Sequence, residues 1–216
     1  MKVVVDRWTM SSQVRTAWTA ALALVLVLAA ATAGRGQGQS LPKGFAEKLV
    51  DAAKVQTSEK VTYDGSYRKI RYPNGDVPDN IGVCTDVLIR AYRQLGIDLQ
   101  VKVHEDMKRS FSSYPQKWGL SETDPNIDHR RVPNLQTFFR RRGAELPVSK
   151  DPEIYQPGDL VTWMLPGNRP HIGIVTFQRD NATRRPLIVH NIGQGPQIED
   201  MLFEYPITGR YRYCGR

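Results

Sequence analysis

Between Gly82 and Gly96 apolar side chains recur at positions 83, 87, 88, 91, 92 and 95. Three-to-four spacing of this kind predicts one amphipathic helix, opening at Val83-Cys84-Thr85 and stopping at Gly96. Upstream, Phe45, Leu49, Val50 and Ala53 mark a shorter helix on the flank of the domain. The stretch from Lys60 to Gly82 is rich in Tyr, Gly, Pro and Asp and reads as a run of turns that delivers the chain to the cysteine helix. Past Gly96, Val101 to Met107 reads as a short strand or a loop, and residues 108 to 133 as mostly irregular. Asn134 is placed to cap a helix carrying Leu135, Phe138 and Phe139 and ending at Gly143. The last third changes period. Leu160 to Met164, His171 to Phe177, Leu187 to Ile192 and Tyr205 to Tyr213 are β-branched and aromatic runs between turns, which predict a small antiparallel sheet. Helices followed by strands make the expected class α+β.

The first 33 residues change the picture. Lys2, Arg7 and Arg15 precede an apolar run from Ala17 to Ala30, and Ala31-Thr32-Ala33 follows. A basic start, a short apolar run and an A-x-A site define a secretory signal peptide at 1–33, with no stable membrane anchor after its removal. The chain is then exported, periplasmic or secreted. Residues 34–58 form a flexible leader and the flanking helix, and 59–213 form the folded domain. The net charge of the 216-residue chain is +8. An exported basic protein meets anionic envelope polymers more often than nucleic acid, which assigns Arg130-Arg131 and Arg140-Arg141-Arg142 to a solvated face or a wall contact.

Cys84, at the first turn of its helix, faces unpaired backbone N–H groups and the positive end of the helix dipole, both of which favour a thiolate. A buried structural thiol is the alternative, as is a disulfide with Cys214, the other cysteine. His171 and His190 flank Asp180-Asn181 symmetrically. A tight turn there sets them directly opposite on one face of a hairpin. A thiol, a base and an orienting group are the parts of a cysteine acyl-transfer site: Cys84 attacks, His171 carries the proton, and His190 holds the tautomer. Asn191 competes for the third role, although alternation turns it away from His190.

Two resemblances attach to these blocks. Tyr72, Gly82-Val83-Cys84-Thr85, Pro157-Gly158-Asp159-Leu160-Val161, His171-Ile172-Gly173-Ile174 and Ile188-Val189-His190 resemble the NlpC-type cell-wall cysteine peptidases. More closely, Gly75-Asp76-Val77-Pro78, Val83 to Val87, Val103 to Met107, Ile127 to Asn134 and His190 to Gly193 resemble an exported bacterial family catalogued as a domain of unknown function. The first resemblance implies a papain-like single domain with an insertion at about 97–150. It also implies a Cys84, His171, His190 triad, a Tyr72 hydroxyl directed at the oxyanion, and hydrolysis of amide bonds in peptidoglycan stem peptides without a cofactor. Asp86, His129, Arg130 and Arg131 are the substrate-side candidates. The usual Asp-Cys-Ser-Gly is here Val83-Cys84-Thr85-Asp86, so substrate choice does not carry over.

Two rival classes remain. His104-Glu105-Asp106 and Asp128-His129 add ligand types for a metal hydrolase, but no HExxH or paired CxxC spacing accompanies them, so no metal site is expected. A non-enzymatic cell-wall-binding module on the same scaffold is the other.

Overall fold

The computed structural model describes residues 40–216; the signal peptide expected at 1–33 and most of the leader lie outside them. Four helices come first: α1 (Phe45–Val55), α2 (Cys84–Gln94), α3 (Leu99–Arg109) and α4 (Val132–Arg141). Two short strands, β1 (Thr62–Tyr63) and β2 (Ile81–Gly82), pair in parallel just ahead of α2. Six more follow: β3 (Glu145–Leu146), β4 (Leu160–Leu165), β5 (Arg169–Arg179), β6 (Pro186–His190), β7 (Gln197–Glu199) and β8 (Ile207–Tyr211). They form one antiparallel sheet in the order β3-β8-β4-β5-β6-β7. The fold is α+β, with the helices packed on the sheet. Among the described residues no helix is long and apolar enough to cross a membrane.

Strand alternation decides what each face of the sheet carries. Leu160, Ile172, Ile174 and Val189 face the helices and join Leu49, Leu88, Val103, Phe138 and Tyr92 in the main core. Val161, Trp163, Val175 and Ile188 face the other way, covered by Tyr155, Met201 and Leu202. Trp163 satisfies its indole N–H on the Leu202 carbonyl at 2.9 Å, as a buried tryptophan requires. Helix α2 is buried on nearly every side, including polar Thr85 and Asp86, which makes it the central helix of the domain rather than a surface one.

Two expectations for the middle of the chain are corrected. Residues 101–107 are helical, not a strand or loop: Val101-Lys102-Val103 mimics alternation, but Leu99, Val103 and Met107 are the buried positions, spaced for a helix. The Asp98 carboxylate caps this helix by accepting the Gln100 and Val101 amides. Asn134 does not cap α4. It lies inside the helix, which starts one turn earlier around Pro133, and its side-chain amide donates to the Asp128 carbonyl at 3.1 Å. Because Val103, Met107, Leu135, Phe138 and Phe139 belong to the main core, the segment at about 97–150 is structural and not an appended lobe.

The turn-rich stretch before α2 is held by side chains of the helices. Arg90 donates to the Asp76 carboxylate and to the carbonyls of Val77, Pro78 and Ile81. Gln100, fully buried, accepts from the Gly75 amide and donates to the carbonyls of Arg71 and Pro125. Residue 75 must be glycine there: a Cβ would stand 1.8 Å from the Arg71 oxygen.

Candidate active site

The site begins with an unpaired amide in a strand. Val175 N–H bonds the Asp159 carbonyl on the β4 side, so by alternation the amides of 174 and 172 face β6. Strand β6 pairs Val189 with Ile174 and ends at His190. The Ile172 amide therefore extends past its neighbour toward Cys84, where it favours the thiolate form. The thiol lies where the sheet runs out, beside the residue that follows His171. The amides of Thr85 and of Cys84 itself act in the same sense, as free N–H groups at a helix start do.

Those amides do not produce a preformed thiolate. Cys84 is buried, and burial pushes its thiol up to about 12, with the Asp86 carboxylate adding to the rise against the amides. The expectation from helix position is corrected: desolvation outweighs the dipole. Burial acts in the same sense on the histidines by disfavouring the charged form, and it takes His171 down to about 3. His190 is also lowered by burial, opposed by Glu199. The resting site is a neutral thiol with neutral imidazoles. No disulfide joins Cys84 to Cys214. Among the described residues no hydrogen bond joins the Cys84 thiol to His171.

His171 and His190 do meet, with Nε2 of the first 3.1 Å from Nδ1 of the second and the rings perpendicular. The route differs from the tight turn expected at Asp180-Asn181. Residues 180–185 form a wider loop in which the Asp180 carboxylate accepts the Ala182 and Thr183 amides, and the ladder shifts between Val175 and Arg179. Register moves by two residues, which preserves the face. Gly173, not His171, comes opposite His190, and the histidines are diagonal neighbours. A Cβ on residue 173 would meet the Ile188 Cγ2 at 2.6 Å and the His190 Cβ at 3.1 Å. This glycine clears space for β6 and His190.

Beyond His190 stands a residue that the sequence reading did not single out. The Glu199 Oε2 lies 2.9 Å from His190 Nε2, off the N–H axis. Pairing of β6 with β7 puts Gln197 opposite His190 and Glu199 opposite Ile188, so Glu199 shares the face of both histidines; the signal was its alternation with Ile198. A carboxylate at Nε2 keeps the His190 proton there and leaves Nδ1 an acceptor. His171 must then donate from Nε2, and its Nδ1 carries the lone pair.

The other candidates divide. Asn191 bonds the Gly82 carbonyl at 3.4 Å and accepts the Gly193 amide, so it supports the loop before α2 and does not orient His171. Tyr72 is corrected as well: its hydroxyl donates to Glu105 and its ring stands against His104. Tyr63 is the tyrosine that shares a cleft with Cys84. Burial and the nearby thiol raise its hydroxyl to about 12, so it stays a donor. Asp86 is turned inward. It accepts the Val83 amide at 2.7 Å and holds Arg130 through two bonds of 2.8 and 2.9 Å. His129 is buried and lowered to about 3 by desolvation, and it does not line the cleft. Arg130 and Arg131 do line it. The metal-ligand candidates on α3 diverge, with Glu105 going to Tyr72 and Asp106 to Tyr114 and Arg141.

The cleft at Cys84 has a volume of about 380 Å³ and is bounded by Tyr63, Val83, Trp118, Arg130, Arg131 and Pro170, among others. Larger clefts of about 660 and 710 Å³ contain neither a cysteine nor a histidine. Fold and site together define a single α+β domain with a cysteine at a helix start, docked on a strand that bears a paired histidine. Residues 50–213 match the family described as Domain of unknown function (DUF1287), and the chain belongs to that family. It is 50% identical over 167 residues to Escherichia coli (strain K12) "Uncharacterized protein YijF", an alignment spanning 76% of this chain and 80% of that protein.

Proposed function

We propose that this protein is an exported cysteine hydrolase, an amidase or endopeptidase with a papain-like, NlpC-type arrangement, acting on amide bonds of peptidoglycan stem peptides. The carrying observation is that Cys84 opens a helix beside β5 at Ile172, the residue after His171, whose Nε2 lies 3.1 Å from Nδ1 of His190. The tautomer that Glu199 and His190 impose leaves Nδ1 of His171 to accept the thiol proton. Among the described residues no hydrogen bond joins His171 to the thiol, and strand alternation sets its ring on the face of Ile188, so the reading requires substrate binding to bring Nδ1 and the sulfur together.

The S–H proton passes to His171 Nδ1 as sulfur bonds the carbonyl carbon. The oxyanion takes the Cys84 amide and the Tyr63 hydroxyl. His171 returns the proton to the departing amine as the C–N bond breaks, leaving a thioester. Water then attacks the thioester carbonyl, giving its proton to the same nitrogen; as the C–S bond breaks the sulfur takes that proton back and the acid is released. Because thiol and imidazole rest neutral, proton transfer accompanies attack and no standing ion pair is involved. Peptidoglycan fits a basic chain with an A-x-A export signal, and the reading needs no metal or cofactor.

Mass spectrometry of muropeptides incubated with the protein tests the reading. Products that have gained one water, absent with Cys84→Ala and with His171→Ala, are expected; unchanged muropeptides, or cleavage retained by Cys84→Ala, would overturn it. The second reading, a wall-binding module without catalysis, draws on the raised thiol and predicts retention on peptidoglycan with no product.

A further inference from the structure

The insertion contributes more to the cleft than a wall. Lys117, Trp118, Arg130 and Arg131 all line it, and none of its lining residues is acidic. The carboxylates of residues adjoining the cleft are already committed: Asp86 to Arg130 at 2.8 Å, Asp128 to Arg131 at 3.3 Å and Asp64 to Arg68 at 2.8 Å. Arg130 has a side chain only 2% exposed, and Asp86 grips the edge formed by Nε and Nη2. Its Nη1 is buried and has no hydrogen-bond partner. A charged donor left unsatisfied in the wall of a cleft is costly unless something completes it. Arg131 stacks its guanidinium over Trp118 at 4.1 Å, which fixes a second cation on the same rim. Apolar Val132, Pro133 and Pro170 complete the surface.

We infer that this cleft is a carboxylate subsite. It binds a peptide whose free carboxylate, terminal or on a side chain, sits beside the amide bond presented to Cys84. Arg130 Nη1 is the buried anchor, held in orientation by Asp86, so little freedom is lost on binding. Arg131 and Lys117 supply the field at the rim, and Trp118 is the apolar shelf. A planar carboxylate suits one guanidinium edge with a cation beside it. Choice of bond rests on the hydrolase reading above; the binding site does not.

The test is binding of a synthetic stem tetrapeptide to the Cys84→Ser protein in three forms: all carboxylates free, C-terminus amidated, and side chain amidated. One monoamide should bind about tenfold more weakly than the free acid, and which one identifies the carboxylate. The Asp86→Asn/Arg130→Met protein, which removes the anchor together with its partner, should lose most of that preference, whereas Lys117→Gln/Arg131→Gln, which leaves Arg130 in place, should bind all three peptides more weakly in the same order. Protection of Cys84 from iodoacetamide in the unsubstituted protein should rank the three peptides identically. Less than about a twofold difference among them, no detectable binding, or a preference that survives removal of Arg130 would overturn the subsite. Discriminating binding without cleavage would defeat the hydrolase reading and leave the subsite; cleavage with indifferent binding would do the reverse.

Discussion

Asp86→Ala removes two supports at once. The carboxylate caps α2 through the Val83 amide at 2.7 Å, a contact worth about 1 kcal/mol. It also neutralises Arg130 across two short hydrogen bonds, with both side chains at most 3% exposed. Removing one partner of such a pair strands a buried charge at a cost of about 3–5 kcal/mol. The sum, about 4–6 kcal/mol, is a large share of the roughly 5–15 kcal/mol that holds a domain together. Asp86→Asn keeps the acceptor for Val83 and should lose only the pair, about 3–5 kcal/mol. Asp86→Asn with Arg130→Met removes both charges and should recover to within about 1–2 kcal/mol of the parent, since neither is then left alone. Urea titration followed by circular dichroism reads all three. The same substitutions report on the thiol: without the Asp86 charge, the pH at which Cys84 reacts with iodoacetamide should fall. An Asp86→Ala loss below about 1 kcal/mol, or a double variant as unstable as the two single losses summed, would refute the argument.

Activity on muropeptides should vanish with Cys84→Ala and His171→Ala, fall strongly with His190→Ala, fall moderately with Glu199→Gln, and change least with Asn191→Ala; full activity in His190→Ala alongside none in Asn191→Ala would transfer the third role to the asparagine. Tyr63→Phe should reduce kcat by about tenfold or more with KM little changed, whereas Tyr72→Phe should not, as steady-state kinetics will tell. Iodoacetamide should label Cys84 slowly at neutral pH and about tenfold faster per pH unit through the alkaline range, because its thiol is raised to about 12; a rate that levels off below pH 8 would contradict that. His129 and His171 are held near 3 when folded, against about 6.5 unfolded, so the unfolded chain binds more protons between those values. Stability should be full above about pH 6.5 and decline as pH falls toward 3, which urea midpoints across that range will measure.

Local chemistry sufficed for much of this protein. The stripe from Val83 to Leu95 determined α2 and put Cys84 at its start, and β-branched runs marked the sheet. His171 and His190 were assigned to one face from a tight turn at Asp180-Asn181, and they share it because the register differs from that turn's by an even number, two residues. Three matters were decided only by tertiary structure. The first is thiol ionisation: a helix start favours the thiolate everywhere, but burial depends on the sheet that α2 meets, and here desolvation prevails. The second is which side chains accompany the cysteine. The resemblance points to Tyr72 and not to Tyr63, yet pairing of β1 with β2 brings Tyr63 into the Cys84 cleft, while Tyr72 goes to Glu105 on α3. The third is the fate of charges distant in sequence. Arg130 read as surface because arginine usually is, and became a buried anchor because Asp86, 44 residues away, is turned toward it in the packed domain. Such pairings depend on how helices dock, and side-chain periodicity along one segment carries no record of its partner.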